Sequence, residues 1–391
     1  MARSLAVPVT LLLVACSNDH SAAHQKPDGP PIGHWEKLPQ GPSDATLTGQ
    51  AFSDHEYITW SGNGTPPTPY IFNAATGEWR TGSSDGCPKS RLFASGVWTG
   101  SEVIFWGGED NSYYPIKDPG GAYNPATDSW RVISSANAPS PREWVNPVWA
   151  ETEMIIWGGA DTISNYNSPP ILNDAYAYNP LTDTWRTVPF EGAPSPRINV
   201  ISAWTGSELL IWGGTADSNT IGTVNANRAY LKSGAAYNPT SNTWRPMASV
   251  GAPSQDIPIA SAWTGTELLV WNSSQGEGAA YNPKTDTWRP MDGHGPLLRY
   301  GACAIWSGKY FLVCGDNASP EGELYDPTED RWYLMESQLV DSGPGPWSSA
   351  NGYEYNGSVY IFGGLIGGNY FAGDLWGYRY VITSEPSDAQ P

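Results

Sequence analysis

The chain has 391 residues, with 39 Asp and Glu against 20 Lys and Arg, for a formal net charge of −19 at pH 7. So acidic a chain lacks the basic surface that phosphate backbones require, which excludes a nucleic-acid binder and disfavours docking on an anionic membrane surface. With 43 Gly, 35 Pro, 20 Trp and no helix-period stretch of useful length, the composition points to an all-β protein built from short strands and turns.

At the N-terminus Arg3 precedes an apolar stretch from Leu5 to Val14, too short to cross a bilayer and of the form of a secretory signal. Leu13, Val14, Ala15 and Cys16 resemble the lipobox of bacterial lipoproteins, which implies cleavage after residue 15 and lipidation of Cys16. An ordinary cleaved signal that happens to contain a cysteine is the competing reading. Ser17, in place of Asp, is similar to the outer-membrane form of that signal. Residues 1–15 are expected to be the signal and 16–33, polar and rich in Pro and Ala, a flexible tether. This implies export to the bacterial outer membrane or cell surface, with membrane contact only through the lipid; a monomer is expected.

The rest is a repeat. Trp98 and Trp106, Trp149 and Trp157, Trp204 and Trp212, and Trp263 and Trp271 are each eight apart. Phe72 and Trp79, Tyr123 and Trp130, Tyr178 and Trp185, Tyr237 and Trp244, Tyr281 and Trp288, and Tyr325 and Trp332 are each seven apart. Each unit therefore holds two hairpins of fixed geometry, and only the connection between them varies. In the fullest unit, Leu209, Leu210, Ile211 and Trp212 form a run too short for a helix, bounded by Gly206 and Gly213, and read as a strand buried on both faces. Asn238 and Pro239 mark the second turn. First hairpins end near Trp60, Trp106, Trp157, Trp212, Trp271, Cys314 and Phe362, which gives seven units. The last reaches a third strand at Asp374, Leu375 and Trp376 and lacks a fourth; His34, Trp35, Glu36, Lys37 and Leu38 supply it from the other end of the chain.

The doublets Gly107 and Gly108, Gly158 and Gly159, Gly213 and Gly214, and Gly363 and Gly364, each with a later Tyr and Trp, resemble the kelch repeat of β-propellers. Blades 1, 5 and 6 depart from it with Ser61 and Gly62, Asn272 and Ser273, and Gly315 and Asp316. The resemblance implies a seven-bladed kelch-type β-propeller over 34–382, closed by an N-terminal strand and followed by a disordered tail at 383–391. It does not imply a function, since such propellers include binding modules and enzymes alike.

Little in the chain looks catalytic. There is no phosphate-binding glycine loop and no cysteine pair at zinc spacing. His55 at a hairpin turn and His294 before the sixth blade are expected on opposite faces, which argues against a copper site of the galactose oxidase kind; no metal and no cofactor are expected. The recurring acids Asp128, Asp183, Asp286 and Asp330 occupy one turn position and read as turn chemistry. Cys303 and Cys314 lie on one hairpin. If Trp306 pairs with Lys309 they are diagonal neighbours, so a disulfide and two buried thiols both remain open. Cys87 would stay unpaired in a loop.

The sharpest pattern is a ring. Seven residues before Trp98, Trp149, Trp204 and Trp306 stand Arg91, Arg142, Arg197 and Arg299, and seven before Trp263 stands Asp256. The innermost strand follows each, so these side chains should circle the channel mouth on the face that carries the variable loops Ser112–Pro119, Asp161–Asn173 and Ala216–Ser233. In kelch propellers that bind ligands, arginines of similar placement contact carboxylate-bearing partners, which implies an anion site. The competing reading is a set of inter-blade salt bridges and turn-capping bonds. Trp144 and Trp347 lie beside the ring, either to stack on a ligand or to pack under the loops. The resulting expectation is a lipid-anchored binding module for a protein or glycan ligand, anionic or not, with Arg91, Arg142, Arg197, Arg299, Asp256, Trp144 and Trp347 as ligand contacts. A mutarotase or isomerase of an acidic sugar and a purely structural surface protein are the alternatives.

Overall fold

A computed structural model describes residues 31–42, 50–60, 67–89, 91, 94–108, 116, 120–161, 169–216, 230–254, 259–273, 275–297, 303–314, 322–336, 351–362 and 377–383. Their strands form seven antiparallel four-stranded blades, at 50–81, 95–132, 148–188, 201–246, 259–290 and 303–334, with 351–381 joined by His34–Lys37 as the seventh. First strands of neighbouring blades lie side by side around a central channel, and those of blades 1 and 2 share a parallel bridge between Gln50 and Ser95.

The second strand of blade 4, Leu209–Trp212, is buried throughout. Successive side chains of a strand point to opposite faces. Leu209 and Ile211 accordingly pack with Trp157, Ala177 and Val188 of blade 3, while Leu210 and Trp212 pack with Val270, Tyr281 and Trp288 of blade 5. A blade wedged between two others has no solvent face, which is why four apolar residues follow one another without alternation. One such cluster fills each of the seven junctions, including that between blades 7 and 1, where Tyr57 stacks on Phe362 at 4.2 Å.

The ring closes as the repeat requires. Trp35 pairs with Tyr380 as Trp244 pairs with Tyr237. The indole Nε1 of Trp35 donates to the Glu336 carbonyl at 2.9 Å, in the linker leaving blade 6. The marker tryptophans of the other blades do the same to the linker before them: Trp79 to Pro39, Trp130 to Ser83, Trp185 to Ser134, Trp244 to Pro189, Trp288 to Ala248 and Trp332 to Asp292.

The described third strand of blade 7 is Gly377–Val381, and the expected position of that strand at 374–376 lies outside the described residues. The ordered entry also begins earlier than residue 34, because Ile32 is 2% exposed, its N–H donates to the Leu334 carbonyl at 3.1 Å and its carbonyl accepts the Tyr380 hydroxyl at 2.6 Å. Gly33 follows at φ 109, and a Cβ there would stand 2.5 Å from the Val381 carbonyl oxygen, so only glycine lets the chain in.

A hydrogen-bond chain crosses the junctions on the hairpin-turn side. Between blades 4 and 5, Arg245 bonds Glu208 of its own blade at 2.9 and 2.6 Å and donates to the Tyr281 hydroxyl of the next blade at 3.2 Å. That hydroxyl donates to Asp286 at 2.6 Å, and Asp286 also accepts the Ala248 N–H of the linker at 2.8 Å. Arg131, Tyr178 and Asp183 repeat the arrangement, as do Arg289, Tyr325 and Asp330. Asp128, Asp183, Asp286 and Asp330 have φ of 50, 52, 52 and 51°, a left-handed conformation that Asp tolerates. In blade 1, Phe72 has no hydroxyl to offer, and Gly77 stands where the acid would be.

In blade 6 the hairpin register is Trp306 with Phe311, not with Lys309, because Ser307 to Tyr310 form the turn. This corrects the diagonal placement: Cys303 lies directly opposite Cys314. Both are free thiols here, and contact with Cys314, then burial, pushes the Cys303 thiol well above its usual range. Cys87 is also free, its thiol pushed up to about 12 chiefly by burial.

Candidate functional site: the channel mouth

Arg91, Arg142 and Arg197 occupy equivalent positions in blades 2, 3 and 4, entering the first strand of each. All are buried, at 1%, 1% and 3% exposure. Each guanidinium grips backbone. Arg91 donates to the carbonyls of Lys89 at 3.3 Å and Gly107 at 3.2 Å. Arg142 donates to those of Ser140 at 3.0 Å and Gly158 at 3.1 Å, and holds Asp174 at 2.6 and 3.1 Å. Arg197 donates to Ser195 at 2.9 Å, Gly213 at 3.0 Å and Ser233 at 2.8 Å. The geometry is that of a clamp tying the linker to the first glycine of the doublet. Turn capping, the competing reading of the ring, describes these three, and none presents an open guanidinium.

Blade 5 shows the same clamp built the other way round. Asp256 stands in the arginine position, outside the described residues, and Asn272 replaces the first glycine. The Asn272 amide reaches back to the Ser254 carbonyl at 2.9 Å, the counterpart of the Ser195 carbonyl that Arg197 holds. One donor is needed to hold the linker, and it comes from either partner. Arg299, Trp347 and Cys16 also lie outside the described residues. Trp144 is half-buried at φ 55, a left-handed conformation unusual for so bulky a side chain; the equivalent Asn199 has φ 56 and is exposed.

Above the clamp, blades 3 and 4 extend past the glycine doublet. Glu143 bridges Ala160, which bridges Ile171, and Ile198 bridges Thr215, which bridges Tyr230. Between these ladders opens a cavity of about 480 Å³ that sequence reasoning had not singled out, lined by Asn146, Asn199, Ser202, Tyr230 and Ser261 with Val200 and Ile201. The described lining carries no charged side chain. The Asn146 amide donates to the Val200 carbonyl at 3.0 Å and the Ser202 hydroxyl to the Asn146 carbonyl at 3.4 Å, locking blade 3 to blade 4 at the cavity wall. Ser202 and Ser261 share one position, two residues before the tryptophan that ends each first strand. Polar residues there, on a strand otherwise apolar, were the available signal.

The described histidines do not converge. His34 lies beside Glu36 on the closing strand, His55 against the Tyr355 ring where blades 1 and 7 meet, and His294 beside Asp292 in the linker between blades 5 and 6. Among the described residues no group of three or more His, Cys, Asp or Glu is placed to hold a metal ion.

Fold, doublets and clamps together define a kelch-type β-propeller. The chain belongs to the kelch-repeat family: residues 93–315 match the KLHDC2/KLHL20/DRC7 Kelch-repeats domain. It is similar to the Kelch-like protein terF of Aspergillus terreus (strain NIH 2624 / FGSC A1156), 25% identical over 239 residues, 55% of this chain and 49% of that protein. The chain thus spans about half the length of that curated relative. Among solved structures, a fungal alcohol oxidase of the AA5 family in complex with copper superposes with a TM-score of 0.65 at 14% identity, over 90% of this chain and 76% of its own. At that identity the likeness is one of fold.

Proposed function

We propose that this protein is an exported, lipid-anchored binding module that holds a segment of a partner protein at the channel mouth. The observation that carries the proposal is the cavity between blades 3, 4 and 5, where amides and hydroxyls of Asn146, Asn199, Ser202 and Ser261 stand beside Val200 and Ile201. Uncharged groups that both donate and accept, set against apolar side chains, suit a peptide backbone better than a free anion. Kelch propellers generally bind protein partners, although some are enzymes, which favours a protein over a glycan. The reading of an acidic-sugar isomerase loses its main support, because Arg91, Arg142 and Arg197 already spend their donors on carbonyls and on Asp174. Export and anchoring rest on the resemblance of Leu13 to Cys16 to a lipobox.

A peptide array of cell-envelope proteins, probed with the purified chain, supplies the ligand, and calorimetry compares the protein with its Asn199→Ala, Ser261→Ala double variant. Loss of at least tenfold in affinity at an unchanged melting temperature is expected. Unchanged affinity would move the site away from the mouth.

A further inference from the structure

We infer that the groove between blades 3 and 4 on the hairpin-turn side is a second binding site, which takes the protonated amine of a lysine side chain on a partner protein. It lies away from the channel mouth and does not depend on the function proposed there. The groove encloses about 520 Å³.

The first hairpin turn of blade 3 differs from those of blades 2, 4, 5 and 6. Blades 2, 4, 5 and 6 place Gly100, Gly206, Gly265 and Gly308 at the second position of the first hairpin turn, with φ of 96, 91, 94 and 87°. Blade 3 places Glu151 there, at φ 60. In blades 2, 4 and 5 the preceding threonine caps the turn: Thr99, Thr205 and Thr264 Oγ1 accept the N–H of Glu102, Glu208 and Glu267 at 3.1, 2.9 and 2.9 Å. Blade 3 has Ala150, with no hydroxyl. It therefore gives up both the glycine that relaxes the turn and the cap that holds it, and each loss is destabilising on its own. What it gains is an exposed carboxylate at the rim of the groove, which no hydrogen bond or ion pair engages among the described residues.

The opposite wall departs from the repeat as well. Asn242 replaces the acid of the other turns, and the Tyr237 hydroxyl donates to it at 2.6 Å. The acids elsewhere accept a linker N–H, but the linker residue here is Pro189, which has none to give. Glu153 is neutralised by Arg186 at 2.9 and 2.5 Å. Glu151 is thus the uncompensated charge of the groove. The hydroxyls of Thr152, Ser207 and Thr240 and the indole of Trp204 complete the lining. An ammonium group has three donors and no acceptor, so one carboxylate among hydroxyl oxygens matches it, and an indole face adds cation–π attraction. The net charge of −19 draws such a group toward the protein.

The test is saturation-transfer NMR on the full-length chain with N-acetyl-lysine methylamide as probe. Signal from the lysine ε-methylene is expected with the parent protein, reduced at least fivefold in Glu151→Gly and Glu151→Gln, and lost when the probe amine is acetylated. Glu151→Gly restores the residue of blades 2, 4, 5 and 6, so its melting temperature should equal or exceed that of the parent, which separates a lost site from a damaged fold. Asn199→Ala, at the mouth, should leave the signal intact. Equal signal from parent and both Glu151 variants, equal signal from the acetylated probe, or loss of signal in Asn199→Ala would each overturn the proposal.

Discussion

Arg197 shows what a charged side chain near the channel mouth can do for its own backbone. It enters the first strand of blade 4 near the channel mouth, charged, in an acidic protein, yet it is 3% exposed and burial lowers its pKa from the ordinary value. Its donors meet three carbonyl oxygens, those of Ser195, Gly213 and Ser233. Arg197→Ala would leave those carbonyls short of a donor in a place water reaches poorly, at a cost of about 3 kcal/mol. Urea unfolding of the ligand-free protein should therefore show a clear loss of stability. Arg197→Lys should recover only part of it, since an ammonium cannot span the fork. Unchanged or raised stability in the alanine variant would mean that the guanidinium is held under strain for a ligand.

At the scale of an element, the closing strand His34–Lys37 decides whether seven wedges make a ring. It is anchored by its pairing with Gly377–Val381, by the Trp35 indole on the Glu336 carbonyl and by the Leu38 N–H on the Gly377 carbonyl at 3.0 Å. Removal of residues up to 30 should leave the melting temperature unchanged, whereas removal up to 38 should lower it by several degrees or more and broaden the transition. Loss of 31–33 alone should already cost stability, because Ile32 is part of the core between blades 6 and 7. Equal melting of the two truncations would contradict closure by this strand.

The whole molecule repeats its junction chemistry, so it should respond to pH as a unit. Burial raises the pKa of Tyr123, Tyr178, Tyr281 and Tyr325, that of Tyr281 to about 12. A phenol whose folded value lies above its ordinary value near 10 contributes stability that is complete below pH 10 and is lost as pH rises through the folded value. Urea midpoints should thus stay level from pH 8 to 10 and fall steeply above 10. Tyr281→Phe should start lower and fall less. Asp128 acts in the opposite sense. The Tyr123 hydroxyl, first among its partners, holds it below the usual carboxylate range, so its contribution is present above that range and fades on acidification. A midpoint that stays flat to pH 12 would mean that the junction tyrosines are not buried as described.

The number of blades, the closing strand and the burial of each second strand were legible in the sequence because each is written in side chains at a regular interval. Trp35, Trp79 and their counterparts recur where the same space must be filled, and Leu209 to Trp212 are apolar because both of their faces meet another blade. The fate of the arginines was not legible in this way. Arg197 is bound by the carbonyl of Gly213, and a carbonyl oxygen looks the same whichever residue carries it. Only the folded backbone brings that oxygen within reach. The register of Cys303 against Cys314 likewise depends on which residues of Ser307 to Tyr310 make the turn, a choice of backbone angles. The cavity at the mouth is lined from three blades, and Asn146, Asn199 and Ser261 share no interval in the chain that marks them as neighbours. The repeat determined the ring from composition and spacing alone, while the tertiary structure decided which polar groups the ring spends on itself and which it leaves open.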